Sequence, residues 1–178
     1  MNNTLKGAAL VYTLIKELSQ QYPNVQIGKT VIQKMMYLLG RELKLDFGFS
    51  MYHYGPYSAQ VANYLSLIES LEIIDVGWDI QKGYFISLKE NKKASDIIKE
   101  LEDILNQKEK STIKKMVRKY GSLDPIAIKL SIIATALFVR YEFGVKANEQ
   151  LIDIIKSLKP EHSDDYIKRT LKDASVIL

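Results

Sequence analysis

The segment from Tyr52 to Ser58 reads Tyr-His-Tyr-Gly-Pro-Tyr-Ser and joins a strand-like run to a long apolar helical pattern. Gly55 can adopt backbone angles that other residues avoid, and Pro56 has a φ angle fixed near that of a first helical turn. The hydroxyl of Ser58 can cap the N–H groups of the helix that follows. The segment therefore predicts a rigid corner, with Pro56 in the first turn of that helix.

The tyrosines around this corner have two interpretations. Tyr is frequent in protein cores, and a tight corner needs bulk around it, so the rings can simply be packed. Amphipathic rings on a rigid corner can also anchor a binding surface. The exposure of Tyr54, Tyr57 and Tyr64 distinguishes the two, because buried rings favour packing.

The first half of the chain has the element order of a winged helix. Apolar spacing predicts helices over residues 8–18 and 29–43, and alternating apolar residues predict a short strand over 47–52. A third helix follows the corner and runs to about Glu72. Two β-prone runs within residues 73–88 then predict a hairpin.

The second half reads as helical throughout. The predicted helices span residues 94–105, 112–120, 125–139, 150–158 and 164–177. Asp124 is the expected N-cap of the third of these, with Pro125 in its first position, and Ser163 is the expected N-cap of the last. Apolar residues surround the helix that follows Pro125, so other elements must cover it.

These patterns predict a mainly α fold with a small β-hairpin. We expect residues 1–90 to form a winged-helix-like region and residues 91–178 to form a helical bundle that packs onto it as one compact unit, because the helix after Pro125 must be covered. The polar N-terminus and the absence of a stretch of roughly 20 apolar residues predict a cytoplasmic protein without a membrane span. The lack of cysteine agrees with a reducing compartment.

The sequence shows no catalytic constellation. Cysteine is absent, and the two histidines, His53 and His162, lie outside any metal-ligand spacing. The residues from Gly28 to Thr30 lack the upstream glycine of a phosphate-binding loop and indicate a helix start. We therefore expect a protein that is not an enzyme, with no cofactor and no bound metal.

The charge is divided unevenly along a chain whose formal net charge is +4. No Lys or Arg lies between Leu45 and Gln81, whereas residues 82–119 carry eleven Lys or Arg against six acidic residues. A DNA-reading winged helix places basic residues on its third helix and its wing. Here the third helix carries Glu69 and no basic residue, which argues against ordinary winged-helix recognition of DNA.

The residues from Gln33 to Leu39, followed by Tyr54-Gly55-Pro56-Tyr57-Ser58, resemble the signature of the Panacea, or SocA-like, domain family. Uncharacterised prokaryotic proteins of the YwgA type share this signature. In that family a helix with a Lys-Leu-Leu-Tyr-Leu pattern precedes a Tyr-Gly-Pro turn; here Met35 and Met36 stand where leucine is more frequent. The resemblance implies a mainly helical domain that acts by binding, as an antitoxin that neutralises a toxic protein or as an adaptor that presents one.

Two functional hypotheses follow. The first is a non-enzymatic protein-interaction module whose partner is a toxin or another basic protein. Its expected contact residues are Tyr54, Gly55, Pro56, Tyr57, Ser58, Tyr64 and Glu69. The second is a winged-helix transcriptional regulator that holds DNA through Lys82, Lys108, Lys114, Lys115, Arg118 and Lys119. A homodimer built on apolar C-terminal helices is compatible with either.

Overall fold

The computed structural model describes residues 3–81 and 83–177 and confirms a mainly α fold with a small β-hairpin, to which a second, unpredicted hairpin is added. The elements are α1 (Asn3–Gln21), α2 (Lys29–Leu43), β1 (Ser50–Tyr52), β2 (Gly55–Tyr57), α3 (Ala59–Ser70), β3 (Ile74–Asp79), β4 (Gly83–Leu88), a 3₁₀ turn (Lys92–Ala94), α4 (Ser95–Ile104), α5 (Gln107–Tyr120), α6 (Ile126–Glu142), α7 (Asn148–Leu158) and α8 (Asp164–Asp173).

The corner differs from the prediction. β1 and β2 form an antiparallel hairpin in which Tyr52 pairs with Gly55 and Met51 with Pro56. Pro56 therefore lies in a strand and not in the first turn of α3, because the chain stays extended through Ser58. The predicted cap is confirmed, since the Ser58 hydroxyl accepts a hydrogen bond from the backbone N–H of Val61.

Several helix ends were also predicted wrongly. α5 begins at Gln107 because Asn106 and Glu109 form a reciprocal capping box, which the sequence reading overlooked. The N-cap of α6 is Pro125 and not Asp124, because Pro125 has an extended backbone with ψ of 124°. Ser163 caps α8 as predicted, but the helix ends at Asp173.

Two hydrophobic clusters share helix α6. The larger one is built on α1 and α2; α1 packs against α3, α4 and α5, and α2 packs against α5 and α6. The smaller one fills the space between α6, α7 and α8. α6 sends Leu130, Ile133 and Phe138 into the larger cluster and Ile132, Ala136 and Val139 into the smaller one. This two-sided burial confirms that other elements cover the helix.

The side chain of Gln33 holds the start of α3 against α2. Its amide nitrogen donates to the Ser58 carbonyl at 2.9 Å, and its amide oxygen accepts from the Ser58 backbone N–H at 2.9 Å. Both residues are buried, so water does not replace these bonds if they are lost. The Gln33 side chain of α2 thus makes two hydrogen bonds to the backbone of Ser58, as a neighbouring backbone segment would, and so joins α2 to the start of α3.

We expect Gln33→Met to destabilise the fold by about 2 kcal/mol, because it leaves the buried backbone N–H of Ser58 without a partner and removes one of the two hydrogen bonds to the Ser58 carbonyl, which keeps the bond from the Ala62 N–H. Urea unfolding of the purified variant measures this loss. Gln21→Met is the matched control, since Gln21 is exposed and bonds only to Glu17 four residues away. Equal stability of the two variants would contradict the structural role given to Gln33.

Candidate functional site

The structure divides the predicted contact residues into exposed and buried groups. Tyr54 is 70% exposed and Tyr57 is 39% exposed, so these two rings belong to the surface. Tyr64 is 7% exposed, and its ring packs directly against Gly7 of α1. The expectation that Tyr64 supplies contact area is therefore wrong, because the close approach of α1 and α3 encloses its ring.

Three other members of the predicted set, Gly55, Pro56 and Ser58, are buried and fix the hairpin in place. Gly55 has a φ angle of +92°, in the region that favours glycine. The carbonyl of Pro56 accepts from Lys34 Nζ of α2 at 2.8 Å. The Tyr54 carbonyl accepts from the Ser131 hydroxyl of α6 at 2.7 Å. The β1–β2 hairpin is thereby bonded to two helices.

An open groove of about 740 Å³ lies on one side of this hairpin. It is lined by three exposed rings, Tyr54 from the β1–β2 turn and Trp78 and Tyr84 from the β3–β4 hairpin. We call it the aromatic groove. Trp78 and Tyr84 meet edge to face with their centroids 4.7 Å apart, and Lys29 Nζ lies 4.1 Å above the Tyr84 ring. The Trp78 and Tyr84 rings therefore offer contact area to a partner and lose little further conformational entropy on binding.

Acidic residues do not form one surface with the corner, contrary to the prediction that places Glu69 among its contact residues. Glu69 is exposed but lies at the far end of α3, ten residues and so about 15 Å along the helix from its start. Glu72 lies within 4.0 Å of Lys89 and also bonds Asn91. An Asp79 carboxylate oxygen accepts the backbone N–H of Gln81. The negative charges between Leu45 and Gln81 are thus either far from the corner or already paired with other groups.

A cluster of buried polar side chains lies behind the hairpin. Lys34 is 2% exposed and Lys159 is 4% exposed. Lys159 Nζ donates to the Ser131 hydroxyl at 2.7 Å. Within the described residues, neither lysine has a carboxylate within ion-pair distance. Two ammonium groups therefore share a buried region with neutral hydrogen-bond acceptors.

This environment lowers the pKa of both lysines. Burial, and then the charge of Lys159, lower the pKa of Lys34 from 10.5 to about 7. Burial also lowers the pKa of Lys159, although the charge of Glu161 acts in the opposite direction. The protonated forms of these side chains are less stable here than in water because burial removes their hydration and no carboxylate in the described part of the chain pairs with them directly.

A second open groove, of about 450 Å³, gives access to this cluster from the other side of the hairpin. It is lined among others by Tyr52, His53, Thr135, Ser157 and Lys159, and we call it the lysine groove. The buried hydroxyl of Thr135 has no hydrogen-bond partner. His53 is exposed and contacts the Tyr52 ring with 4.6 Å between centroids.

The basic residues of the DNA hypothesis lie mainly on α5. Lys108, Lys114, Lys115, Arg118 and Lys119 are all exposed on this helix. Lys114 lies 3.8 Å from Glu17 of α1, and Lys115 lies 3.9 Å from Glu42 of α2. Lys82 lies outside the described residues. The exposed face of α5 is thus basic, but acidic neighbours flank it on both sides.

Among residues 3–81 and 83–177, no group of three or more His, Asp or Glu side chains is arranged to hold a metal ion. His162 lies 3.4 Å from Glu161 and packs beside Tyr166 near the start of α8. No helix in this part of the chain is long and apolar enough to cross a membrane.

Sequence reasoning missed both grooves. The β-prone runs predict the hairpin that carries Trp78 and Tyr84 but not the face on which the two rings lie, and the apolar spacing of the helix over 29–43 does not indicate that Gln33 and Lys34 are buried. Both are in fact buried. Their position in the sequence indicates that they are unusual, because Gln33 and Lys34 directly follow Val31 and Ile32 and precede Met35 and Met36. Polar residues inside such a run are either an exposed stripe or a buried site.

Comparison with known proteins gives one informative relative. No protein-family model matches the chain. Over 146 residues, 80% of its length, the chain is 34% identical to a proline–tRNA ligase of Nanoarchaeum equitans (strain Kin4-M). That alignment covers 24% of the ligase, so the chain spans about a quarter of the length of this curated relative. The similarity does not extend to the whole of that enzyme.

Proposed function

We propose that the chain is a non-enzymatic protein-interaction module that holds a segment of a partner protein in the aromatic groove. The observation that carries the proposal is the convergence of Tyr54, Trp78 and Tyr84, three exposed rings from two hairpins, on one groove. Aromatic side chains are the residues most enriched at the energetic centres of protein interfaces.

The rigidity of the groove supports the same function. Hydrogen bonds from Ser131 and Lys34 fix the backbone on either side of Gly55, so Tyr54 projects from a turn that is bonded to two helices. A preformed surface loses less conformational entropy on binding than a mobile one. Resemblance to the Panacea family suggests an antitoxin-like or adaptor-like role in the cytoplasm, with a toxic or basic protein as the partner.

A nucleic-acid-binding role is the alternative. The exposed basic face of α5 favours it, and so does the similarity to an enzyme whose name states that it acts on tRNA. Phosphate contacts from such a face would make the affinity fall steeply with added salt. Duplex DNA and tRNA therefore belong in the same experiment as protein partners.

The two roles are separated by affinity capture from the native host with the purified chain as bait, at low and at moderate salt. We expect one protein to be recovered in near-equal amount at both salt concentrations. Trp78→Ala should weaken this capture at least tenfold, because interface aromatic residues commonly contribute 2 kcal/mol or more, about a thirtyfold change. Binding of the recovered protein is then measured by calorimetry.

Phe143→Ala is the matched control, since Phe143 is an equally exposed aromatic residue at the end of α6 and does not line the aromatic groove. Equal weakening by both variants, or none by Trp78→Ala, would reject the aromatic groove as the binding surface. Recovery of salt-sensitive nucleic acid alone, lost in Lys115→Glu, would replace the proposed function with the alternative.

A further inference from the structure

The lysine groove has unused hydrogen-bond donors, and within the described residues no carboxylate lies within ion-pair distance of Lys34 or Lys159. Each lysine ammonium carries three N–H donors, and Lys34 and Lys159 each use one, on the Pro56 carbonyl and the Ser131 hydroxyl. The hydroxyl of Thr135 lies close to Gly55, Thr135 lines the groove together with Lys159, and this buried hydroxyl has no hydrogen-bond partner. Buried polar groups in native proteins are rarely left in this state.

The polar side chains around the lysine groove come from separate elements, and no carboxylate among the described residues pairs with its lysines. Ser131 and Thr135 are one helical turn apart on α6, and Lys159 follows α7 directly, so two elements bring hydrogen-bonding side chains to the same region behind the β1–β2 hairpin. The charge of Glu161 acts on Lys159, but the Glu161 carboxylate lies 3.4 Å from His162 and forms no ion pair with the lysine. The described residues thus supply positive charge and donors, but no carboxylate within ion-pair distance of either lysine.

We propose that the lysine groove binds an oxyanion, a carboxylate or a phosphate group, which Lys159 and Thr135 contact directly and whose charge Lys34 compensates from behind. This site is separate from the aromatic groove and does not depend on the function proposed for it. Lysine presents a point charge with rotatable donors and serves commonly as a phosphate or carboxylate ligand. The lowered pKa values of both lysines agree with a site whose counter-charge arrives with a ligand.

Inorganic phosphate and acetate are the probes, each compared with chloride at equal ionic strength at pH 7. We expect one of them to raise the thermal unfolding midpoint of the full chain in a saturable manner, since a ligand that binds only the folded state stabilises it. Isothermal titration then gives the dissociation constant. Stabilisation by phosphate alone assigns a phosphate ligand, and stabilisation by acetate assigns a carboxylate.

The variants test the assignment of residues. Lys159→Met should weaken binding by about tenfold or more, because it removes a charge-assisted hydrogen bond. Thr135→Val, which keeps the shape and removes the hydroxyl, gives a second reading if Lys159→Met fails to fold. Lys115→Met removes one exposed charge far from the groove and should leave the dissociation constant unchanged. Stabilisation no greater than with chloride, or equal weakening by Lys115→Met, would overturn the proposal.

Discussion

Gly55→Ala is expected to destabilise the fold by about 4 kcal/mol, from two additive causes. The φ angle of +92° is strained for any residue with a Cβ atom, and the Cβ of alanine would lie 2.3 Å from the Thr135 hydroxyl oxygen. The contact is with a short side chain on the buried helix α6, which has little freedom to move away. Chemical unfolding of the purified variant measures the loss.

Gly144→Ala is the matched control for backbone strain. Gly144 also has a positive φ angle, +69°, but nothing lies within 4 Å of the position that its Cβ would take. Its substitution should cost only about 1 kcal/mol. Adding Thr135→Ala to Gly55→Ala should recover the part of the loss that comes from the collision. If Gly55→Ala and Gly144→Ala are equally stable, the close packing of the hairpin on α6 is refuted.

The stability of the protein is expected to rise by about 3 kcal/mol between pH 7 and pH 9.5, and Lys34 is the main cause. Its pKa is lowered from 10.5 to about 7 on folding, so the unfolded chain binds more protons than the folded one across this interval. Each unit of pH at which Lys34 is neutral in the folded chain and charged in the unfolded chain contributes about 1.4 kcal/mol. Below pH 7 the free-energy cost of burying the protonated Lys34 side chain is fully present, and this cost falls as the pH rises.

Lys34→Met should flatten this pH dependence and stabilise the fold at pH 7, because it removes the buried charge at the cost of one hydrogen bond to Pro56. Lys159 retains part of the slope, since burial lowers its pKa in the same direction. Urea unfolding at pH 7.0 and 9.5 gives both values, with Lys115→Met as the control for an exposed lysine. An unchanged slope in Lys34→Met would show that Lys34 is not the titrating group.

Local signals in the sequence were sufficient for most of the fold. The bounds of α2, the β3–β4 hairpin and the caps at Ser58 and Ser163 follow from apolar spacing and capping residues, which act within a few positions along the chain. The β1–β2 hairpin was missed because its strands have three residues each and depend on bonds from Lys34 and Ser131. Such short strands carry little periodic signal.

The sequence by itself determined that the chain is mainly helical, that other elements must cover the helix after Pro125, and that Gly55 can adopt backbone angles that other residues avoid. Only the tertiary structure decided which tyrosines are exposed, because the packing of α1 against α3 buries Tyr64 and leaves Tyr54 free. It also brought Lys34 and Lys159 together from positions 125 residues apart (159 − 34). The charge that one buried side chain feels from another depends on distance in space, which spacing along the chain does not specify.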